Sequence, residues 1–315
     1  MRDTKDLANM RDAMMAAIND LAAEHKEVVM LEADLMSCLG SGSFKKLYPD
    51  RFYNCGIAEA NMVAMAGGLS SVGLVPYAHS FGCFSSRRAY DQWFLSVNYA
   101  QRRAHLIGTD PGVTAQLNGG THMPFEDIAL MRQVPNIVII EPSDAQSCYE
   151  LVRQTYETGK SSYTRIPRKG VAHRYPVGTK IELGKGIVLA EGSDVAIIAT
   201  GQVMVDEATA ALEILKKDGI KATLVDLHTI KPLDTALIEK VAKKCGKVLV
   251  CENGRYAGGV GEGIAAHLAT TCPVLMDFVN VGEKFGEVGK LGYLKQVFGF
   301  TAENIAAKAE ALARK

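Results

Sequence analysis

The stretch 194–227, DVAIIATGQVMVDEATAALEILKKDGIKATLVDL, decides the fold class. An apolar run at 194–201 is followed by a helical pattern over 203–217 that stops at Gly219, and a second apolar run occupies 222–227. The length and β-branched content of the two runs suit buried strands. Strand, helix and strand in this order predict a parallel sheet covered by helices.

The same alternation extends outward in both directions. Further apolar runs end in an acidic residue at VVMLEAD (28–34), HLIGTD (105–110), NIVIIE (136–141) and KVLVCE (247–252). Pro142 and Ser143 are predicted to open a helix, because Ser143 and Gln146 have the spacing of a capping box. The fold class predicted is therefore α/β, with two mostly parallel sheets and helices on both faces of each.

The segment 165–185, RIPRKGVAHRYPVGTKIELGK, interrupts this rhythm with prolines, glycines and basic residues. A chain of 315 residues is longer than most single domains. We therefore predict a domain boundary within 170–183, between a first domain at 1–175 and a second at 183–315.

Composition narrows the class of partner. Thirty-five basic residues balance thirty-five acidic ones, so nucleic acid and anionic membranes are not expected partners. The charged start MRDTKDLANM predicts no secretion signal, and no apolar run approaches the roughly 18 residues of a membrane span. Seven scattered cysteines without a C-x-x-C pair indicate reduced thiols in a cytoplasmic protein.

A single carboxylate stands out in NCGIAEANM (54–62), where Glu59 lies among small apolar residues. One interpretation is structural: Asn54 or a neighbour caps a helix, and Glu59 complements the positive end of its dipole. The other is functional. Burial disfavours the charged form of a carboxyl group, so a dry glutamate can share a proton with a ring nitrogen of a bound molecule.

Ligands of open α/β sheets bind beyond the carboxyl ends of the strands, which draws attention to Asp34, Asp110 and Glu141. The loop GTDPGVTAQLNGGTHMPFED (108–127) is rich in glycine, as functional loops often are. It holds His122, which is either a solvated side chain or an imidazole fixed for a site by its glycine and proline neighbours.

An aromatic cluster lies in AHSFGCFSSRRAY (78–90). Phe81 and Phe84 are three residues apart and can present their rings to a flat ligand or pack in the core. Fingerprints for dinucleotides, nucleoside triphosphates, zinc peptidases and serine hydrolases are missing; GGVGEG (258–263) fails the first of these on spacing.

The motifs GIAEANM, SFGCF and GGTHMP, in this order and at these distances, resemble the pyrimidine-binding domain of transketolases. TGQVMVDEA, VDLHTIKPLD and CENGRYAGGVGEG are similar to the carboxy-terminal domain of the same family. The resemblance covers nearly the whole chain and implies thiamine diphosphate chemistry, in which the cofactor acts as an electron sink.

The resemblance also implies roles for individual residues. Glu59 would bond to the aminopyrimidine ring of the cofactor and promote loss of the thiazolium proton. His122 would hydrogen-bond the oxygens of the transferred two-carbon unit. The remaining implied contacts fall into two groups: Ile57, Phe81, Phe84 and Asp34 for the cofactor, and Arg165, Asp110 and Asn118 for the substrate. Arg165 could equally be a surface charge.

Departures from the family pattern concern the substrate more than the cofactor. Asp110 stands where many transketolases have a histidine, Asn118 where they have an aspartate, and Cys38 where they have a serine. Arg87 replaces an aromatic residue at the pocket edge. The identity of the sugar is therefore open.

Transketolases hold the diphosphate and Mg²⁺ through a G-D-G motif, and no GDG occurs in these 315 residues. The resemblance therefore predicts the carboxy-terminal subunit of a split transketolase that acts on sugar phosphates. The amino-terminal subunit would hold the diphosphate and the Mg²⁺, and this chain would hold no metal. A homodimer or a heterotetramer is expected.

Two alternatives remain open. The beta subunit of a thiamine-dependent 2-oxo acid dehydrogenase has the same two-domain layout and also needs a partner chain. A non-catalytic regulatory subunit is the other alternative, although it would not need Glu59 or His122.

Overall fold

The computed structural model describes residues 7–170 and 173–315; the first six residues, and Val171 and Ala172 within the predicted boundary, lie outside the described residues. The chain divides into two compact units. The first comprises Met1–Pro111 and Leu130–Leu183, and the second Gly112–Ala129 and Gly184–Lys315. The glycine-rich segment 112–129 thus packs with the second unit, although its sequence lies within the first predicted domain.

The first unit is built on a parallel sheet. Its strands lie in the order β5-β6-β4-β3-β1-β2, and each pair of neighbours is parallel. The bounds are β1 Val28–Glu32, β2 Phe52–Asn54, β3 Val75–Phe81, β4 His105–Thr109, β5 Val138–Ile140 and β6 Ser162–Ile166. Every residue of β1, β3, β4, β5 and β6 is buried, as expected for strands covered on both faces.

Helices cover this sheet. Their bounds are α1 Met10–Glu24, α2 Met36–Leu39, α3 Gly42–Leu47, α4 Glu59–Ser71, α5 Tyr90–Gln92 and α7 Ala145–Glu157, with α6 Asp127–Arg132 at the point where the two units divide. Two π-helical segments, Phe84–Arg88 and Trp93–Tyr99, flank α5, and a 3₁₀ turn spans Pro49–Arg51. The first of them begins three residues after β3 ends and therefore lies at the carboxyl edge of the sheet.

The second unit contains a five-stranded sheet in the order β12-β11-β8-β9-β7, in which only β7 is antiparallel to its neighbour. Its strands are β7 Ile187–Ala190, β8 Val195–Ala199, β9 Ala222–Asp226, β11 Lys247–Cys251 and β12 Leu275–Val279, with a short strand β10 at Thr229–Lys231. Its helices are α8 Gly201–Lys217, α9 Thr235–Cys245, α10 Val260–Thr271, α11 Leu291–Phe298 and α12 Ala302–Ala313.

The predicted α/β class with mostly parallel sheets is confirmed. The predicted helix at 203–217 begins two residues earlier, at Gly201, and Gly219 follows its end with a positive φ of 76°. The capping prediction at Ser143 and Gln146 is wrong by one residue. The Asp144 side chain accepts from the Ser147 amide at 2.7 Å, and the Ser147 hydroxyl completes the box.

No helix among the described residues is long and apolar enough to cross a membrane. All seven cysteines lie in described segments and are free thiols. Burial, together with the Glu32 carboxylate, raises the pKa of the Cys55 thiol, which fits the role in packing that its neighbours suggest.

Candidate active site

Glu59 is the first residue of α4, and only 1% of it is exposed. Ala58 occupies the capping position and makes no side-chain cap. The prediction that Asn54 caps this helix is wrong, because its side-chain oxygen accepts instead from the amides of Gly56 and Asp34, both at 3.1 Å.

Each oxygen of the Glu59 carboxylate has one polar partner. The Ser80 hydroxyl, near the end of β3, donates to Oε1 at 2.9 Å. Arg88, the last residue of the first π-helical segment, donates from Nη1 to Oε2 at 2.7 Å. The carboxylate therefore sits between a buried neutral donor and an arginine whose side chain is 45% exposed.

Two phenylalanine rings belong to the same segment as Ser80 and Arg88, the partners of this carboxylate. Phe81 ends β3 and Phe84 begins the π-helical segment, and their ring centroids are 6.2 Å apart at an angle of 61°. A guanidinium group lies over each ring: Arg88 at 4.0 Å from the Phe84 centroid and Arg168 at 4.9 Å from that of Phe81. The two rings thus already bind flat cationic groups.

A buried polar network occupies the carboxyl ends of the neighbouring strands. His79 pairs through Nδ1 with Glu32 Oε2 at 2.8 Å and through Nε2 with the Thr109 hydroxyl at 3.0 Å. Ser41 donates to the other oxygen of Glu32 at 2.5 Å. All four side chains are buried, and because His79 precedes Ser80, the network fixes β3 next to the hydroxyl that contacts Glu59.

The other first-unit candidates occupy different settings. Ile57 is 77% exposed two residues before the dry carboxylate. Asp34, exposed with a positive φ of 61°, accepts from the Asn54 side chain at 3.1 Å. Arg165 is 1% exposed and bonds Glu141 at 2.7 Å, so it is not a surface charge.

Asp110 is buried, and its carboxylate accepts from Arg168 Nε at 2.6 Å. Burial raises the pKa of the Asp110 carboxyl, and the Arg168 guanidinium offsets this in part. The pair holds Arg168 over the Phe81 ring.

Asn118 and His122 belong to the second unit. Asn118 is exposed, and the half-buried His122 pairs through Nδ1 with the Thr121 hydroxyl at 2.9 Å. The loop that carries them is held by close backbone packing: a Cβ on Gly120 would lie 2.2 Å from the Gly286 carbonyl oxygen. The Phe125 ring packs against Phe298 at 5.3 Å. Glycine is therefore needed for this approach, and the imidazole stands on an anchored loop.

The first-unit arrangement fits a flat heteroaromatic ring with N–H donors. Such a ring could lie against Phe84 and donate to the dry carboxylate, which could in turn exchange a proton with a ring nitrogen. Among residues 7–170 and 173–315, no group of three or more histidine, cysteine or acidic side chains is placed to hold a metal ion.

Sequence analysis missed Ser80 and Arg88, the two partners of Glu59. Ser80 adjoins Phe81 in β3, and because adjacent strand residues point to opposite faces, the aromatic cluster gave no reason to select it. Arg88 follows Phe84 by four residues, a spacing that brings side chains together on a helix. The same spacing is also common by chance, and nothing in the sequence pairs Arg88 with a residue 29 positions away.

Both halves of the chain match known protein families. The family model "Transketolase, pyrimidine binding domain" matches residues 6–172, and "Transketolase, C-terminal domain" matches residues 184–305. The 6-deoxy-6-sulfo-D-fructose transketolase subunit SqwH of Clostridium sp. (strain MSTE9) is 40% identical over 95% of this chain and 93% of its own length. A putative transketolase C-terminal section of Methanocaldococcus jannaschii is 34% identical over 95% and 94%.

A solved structure described as "Split gene transketolase, inactive beta4 tetramer" superposes with a TM-score of 0.88 at 33% identity, covering 97% of this chain and 98% of the other. A transketolase from Campylobacter jejuni, at 19% identity and a TM-score of 0.80, shares the fold over 47% of its length. Both family models and these relatives lead to one conclusion: the chain belongs to the transketolase family and contains its pyrimidine-binding and carboxy-terminal domains.

Proposed function

We propose that this chain is the carboxy-terminal subunit of a split transketolase. The enzyme would transfer a two-carbon ketol unit from a ketose phosphate to an aldose phosphate. The observation that carries the proposal is Glu59: a carboxylate 1% exposed, at the start of α4, bonded to Ser80 and to Arg88, whose guanidinium group lies over the Phe84 ring. A structural acid in the first turn of a helix does not need to be dry.

Thiamine diphosphate, when bound, supplies a thiazolium carbon that carries the two-carbon unit and accepts its electrons. Glu59 would bond the pyrimidine ring of this cofactor and exchange a proton with it. Phe84, Phe81 and Ile57 would line the ring, and Ser80 would keep one carboxylate oxygen in place. The predicted contact of Asp34 with the cofactor belongs to the same proposal.

The remaining residues are proposed to contact the substrate. His122, on its anchored loop, would bond the oxygens of the two-carbon unit, and Asp110 and Asn118 would contact the sugar. Arg165 is proposed to bind the substrate phosphate. Because it already donates to buried Glu141, it would have to bind the Glu141 carboxylate and the phosphate at the same time.

The diphosphate and its Mg²⁺ are proposed to be held by a separate amino-terminal subunit. Support comes from the absence of a GDG motif in these residues and from relatives described as subunits or sections of a transketolase. We propose a heterotetramer of two copies of each chain in the cytoplasm.

The test is reconstitution with the GDG-containing chain encoded nearest to this one. The mixture, with thiamine diphosphate and Mg²⁺, should transfer a two-carbon unit from a ketose phosphate to glyceraldehyde 3-phosphate. Because one relative is named for 6-deoxy-6-sulfo-D-fructose, that sugar belongs among the donors. Decarboxylation of 2-oxo acids with transfer to a lipoyl group, without ketol transfer, would contradict the proposal.

A further inference from the structure

Arg88 connects Glu59 with the Phe84 ring. Its guanidinium group donates to Glu59 Oε2 at 2.7 Å and at the same time lies over the Phe84 ring, 4.0 Å from the centroid. A guanidinium group is planar, carries N–H donors and stacks on aromatic faces. An aminopyrimidine has the same three properties, so both groups would use the same oxygen and the same ring face.

The guanidinium group of Arg168, which lies over the Phe81 ring, is held more firmly than that of Arg88. Arg168, over Phe81, is bound to buried Asp110 through its side chain at 2.6 Å and its backbone amide at 3.2 Å, and only 20% of its side chain is exposed. The Arg88 side chain is 45% exposed, and Glu59 is the acidic group it pairs with. Arg168 is therefore anchored, whereas Arg88 can leave its ring by rotating into solvent.

The charge of Glu59 explains its contact with Arg88. A dry carboxylate is costly unless a cation or several donors compensate it, and Ser80 supplies a single neutral hydrogen bond. The guanidinium group of Arg88 compensates Glu59 as long as no ligand does. A ligand that reaches Glu59 must displace this group, and its apparent affinity falls by the fraction of molecules in which the site is open.

We propose that Arg88 is an internal plug of the pyrimidine site, which a cofactor ring displaces when it binds. This inference rests on the proposed function in one respect, the chemical class of the ligand. The plug would keep the subunit from holding cofactor by the ring alone, so that tight binding requires the additional grip on the diphosphate that we propose for the partner chain.

The test is the binding of thiamine, which lacks the diphosphate, to the full-length chain by isothermal titration calorimetry. Arg88→Ala should bind thiamine at least about tenfold more tightly than the wild type, or detectably where the wild type shows no heat, a difference of about 1.4 kcal/mol. Arg153→Ala removes an arginine from another Arg–Glu pair, with Glu24, and should leave binding unchanged.

Competition between a small guanidinium compound and thiamine distinguishes the proposed plug from a purely structural role of Arg88. Ethylguanidinium should refill the space in Arg88→Ala and raise the apparent Kd for thiamine in that variant, with no effect on Arg153→Ala. If Arg88→Ala does not fold, Arg88→Met, which keeps an apolar stem against Phe84, takes its place in the same titration.

Equal or weaker binding of thiamine by the Arg88 variant, or no heat at millimolar thiamine, overturns the plug. That result leaves the proposed function standing if the reconstituted enzyme transfers ketol units and depends on Glu59. Tighter binding without any ketol transfer would support the plug and contradict the proposed function.

Discussion

Helix α4 carries Glu59, and two adjacent glycines in it give a matched pair of substitutions. A Cβ added at Gly67 would lie 2.5 Å from the backbone oxygen of Ser96 and 3.1 Å from its carbonyl carbon, whereas one at Gly68 would meet no atom within 4 Å. Ser96 belongs to the π-helical segment Trp93–Tyr99. Glycine at position 67 therefore allows the backbones of α4 and of the π-helical segment to touch, whereas no close contact requires glycine at position 68.

The magnitudes follow from these distances. Neither contact at Gly67 is with a flexible side-chain end, so the helix and the π-helical segment must separate. Overpacking of this kind costs about 1–3 kcal/mol, and the better helix propensity of alanine returns about 0.5–1 kcal/mol. Gly67→Ala should thus lose about 1–2 kcal/mol of stability, and Gly68→Ala should gain up to about 1 kcal/mol.

Thermal unfolding of both variants, followed by circular dichroism, measures the difference. For a unit of this size, the expected losses lower the midpoint by about 2–8 °C. The reconstituted enzyme adds a functional readout, because a displaced α4 moves Glu59 relative to Ser80. If Gly67→Ala is as stable as Gly68→Ala, the close approach of the two segments is wrong.

Two further predictions concern buried ionisable groups. Glu141→Ala removes the carboxylate bonded to Arg165 and should lower the free energy of unfolding in urea by about 3–5 kcal/mol, because the guanidinium group then stays buried without it. Glu310→Ala breaks an exposed pair with Arg314 and should cost no more than about 1 kcal/mol. Similar losses in the two variants would contradict the burial of the Arg165–Glu141 pair. Burial, helped by nearby Arg103, lowers the pKa of His105 to about 3, below the value of about 6.5 in an unfolded chain. The unfolded state then binds the extra proton, so stability should fall as the pH drops from 6.5 towards 3, by up to about 1.4 kcal/mol per pH unit from this group, and His105→Gln should show a correspondingly shallower slope.

Most of the central strands were predictable because burial on both faces of a parallel sheet demands continuous apolar runs. The run 194–201, for example, contains β8, which begins one residue later and ends two residues earlier, at Val195–Ala199. The cap of α7 was misplaced by one residue because Ser143, Asp144 and Ser147 all favour capping positions, and spacing alone does not choose among them.

The site was only half predictable. Glu59 could be found because a charge among small apolar residues is unusual, but its partners come from 21 and 29 residues further along the chain. Tertiary packing sets such contacts, and local patterns do not encode them. For Arg165, the sequence left a choice between phosphate ligand and surface charge, and its burial against Glu141 excludes the second.

Proton exchange at Glu59 is tested most directly by the rate at which the thiazolium C2 proton of bound thiamine diphosphate exchanges for deuterium, followed by NMR in the reconstituted complex. Glu59→Gln keeps the size and loses the exchangeable acid. The proposed role predicts exchange slower by about 100-fold or more in this variant, with the cofactor still bound. Exchange at the wild-type rate in a loaded Glu59→Gln complex would contradict it.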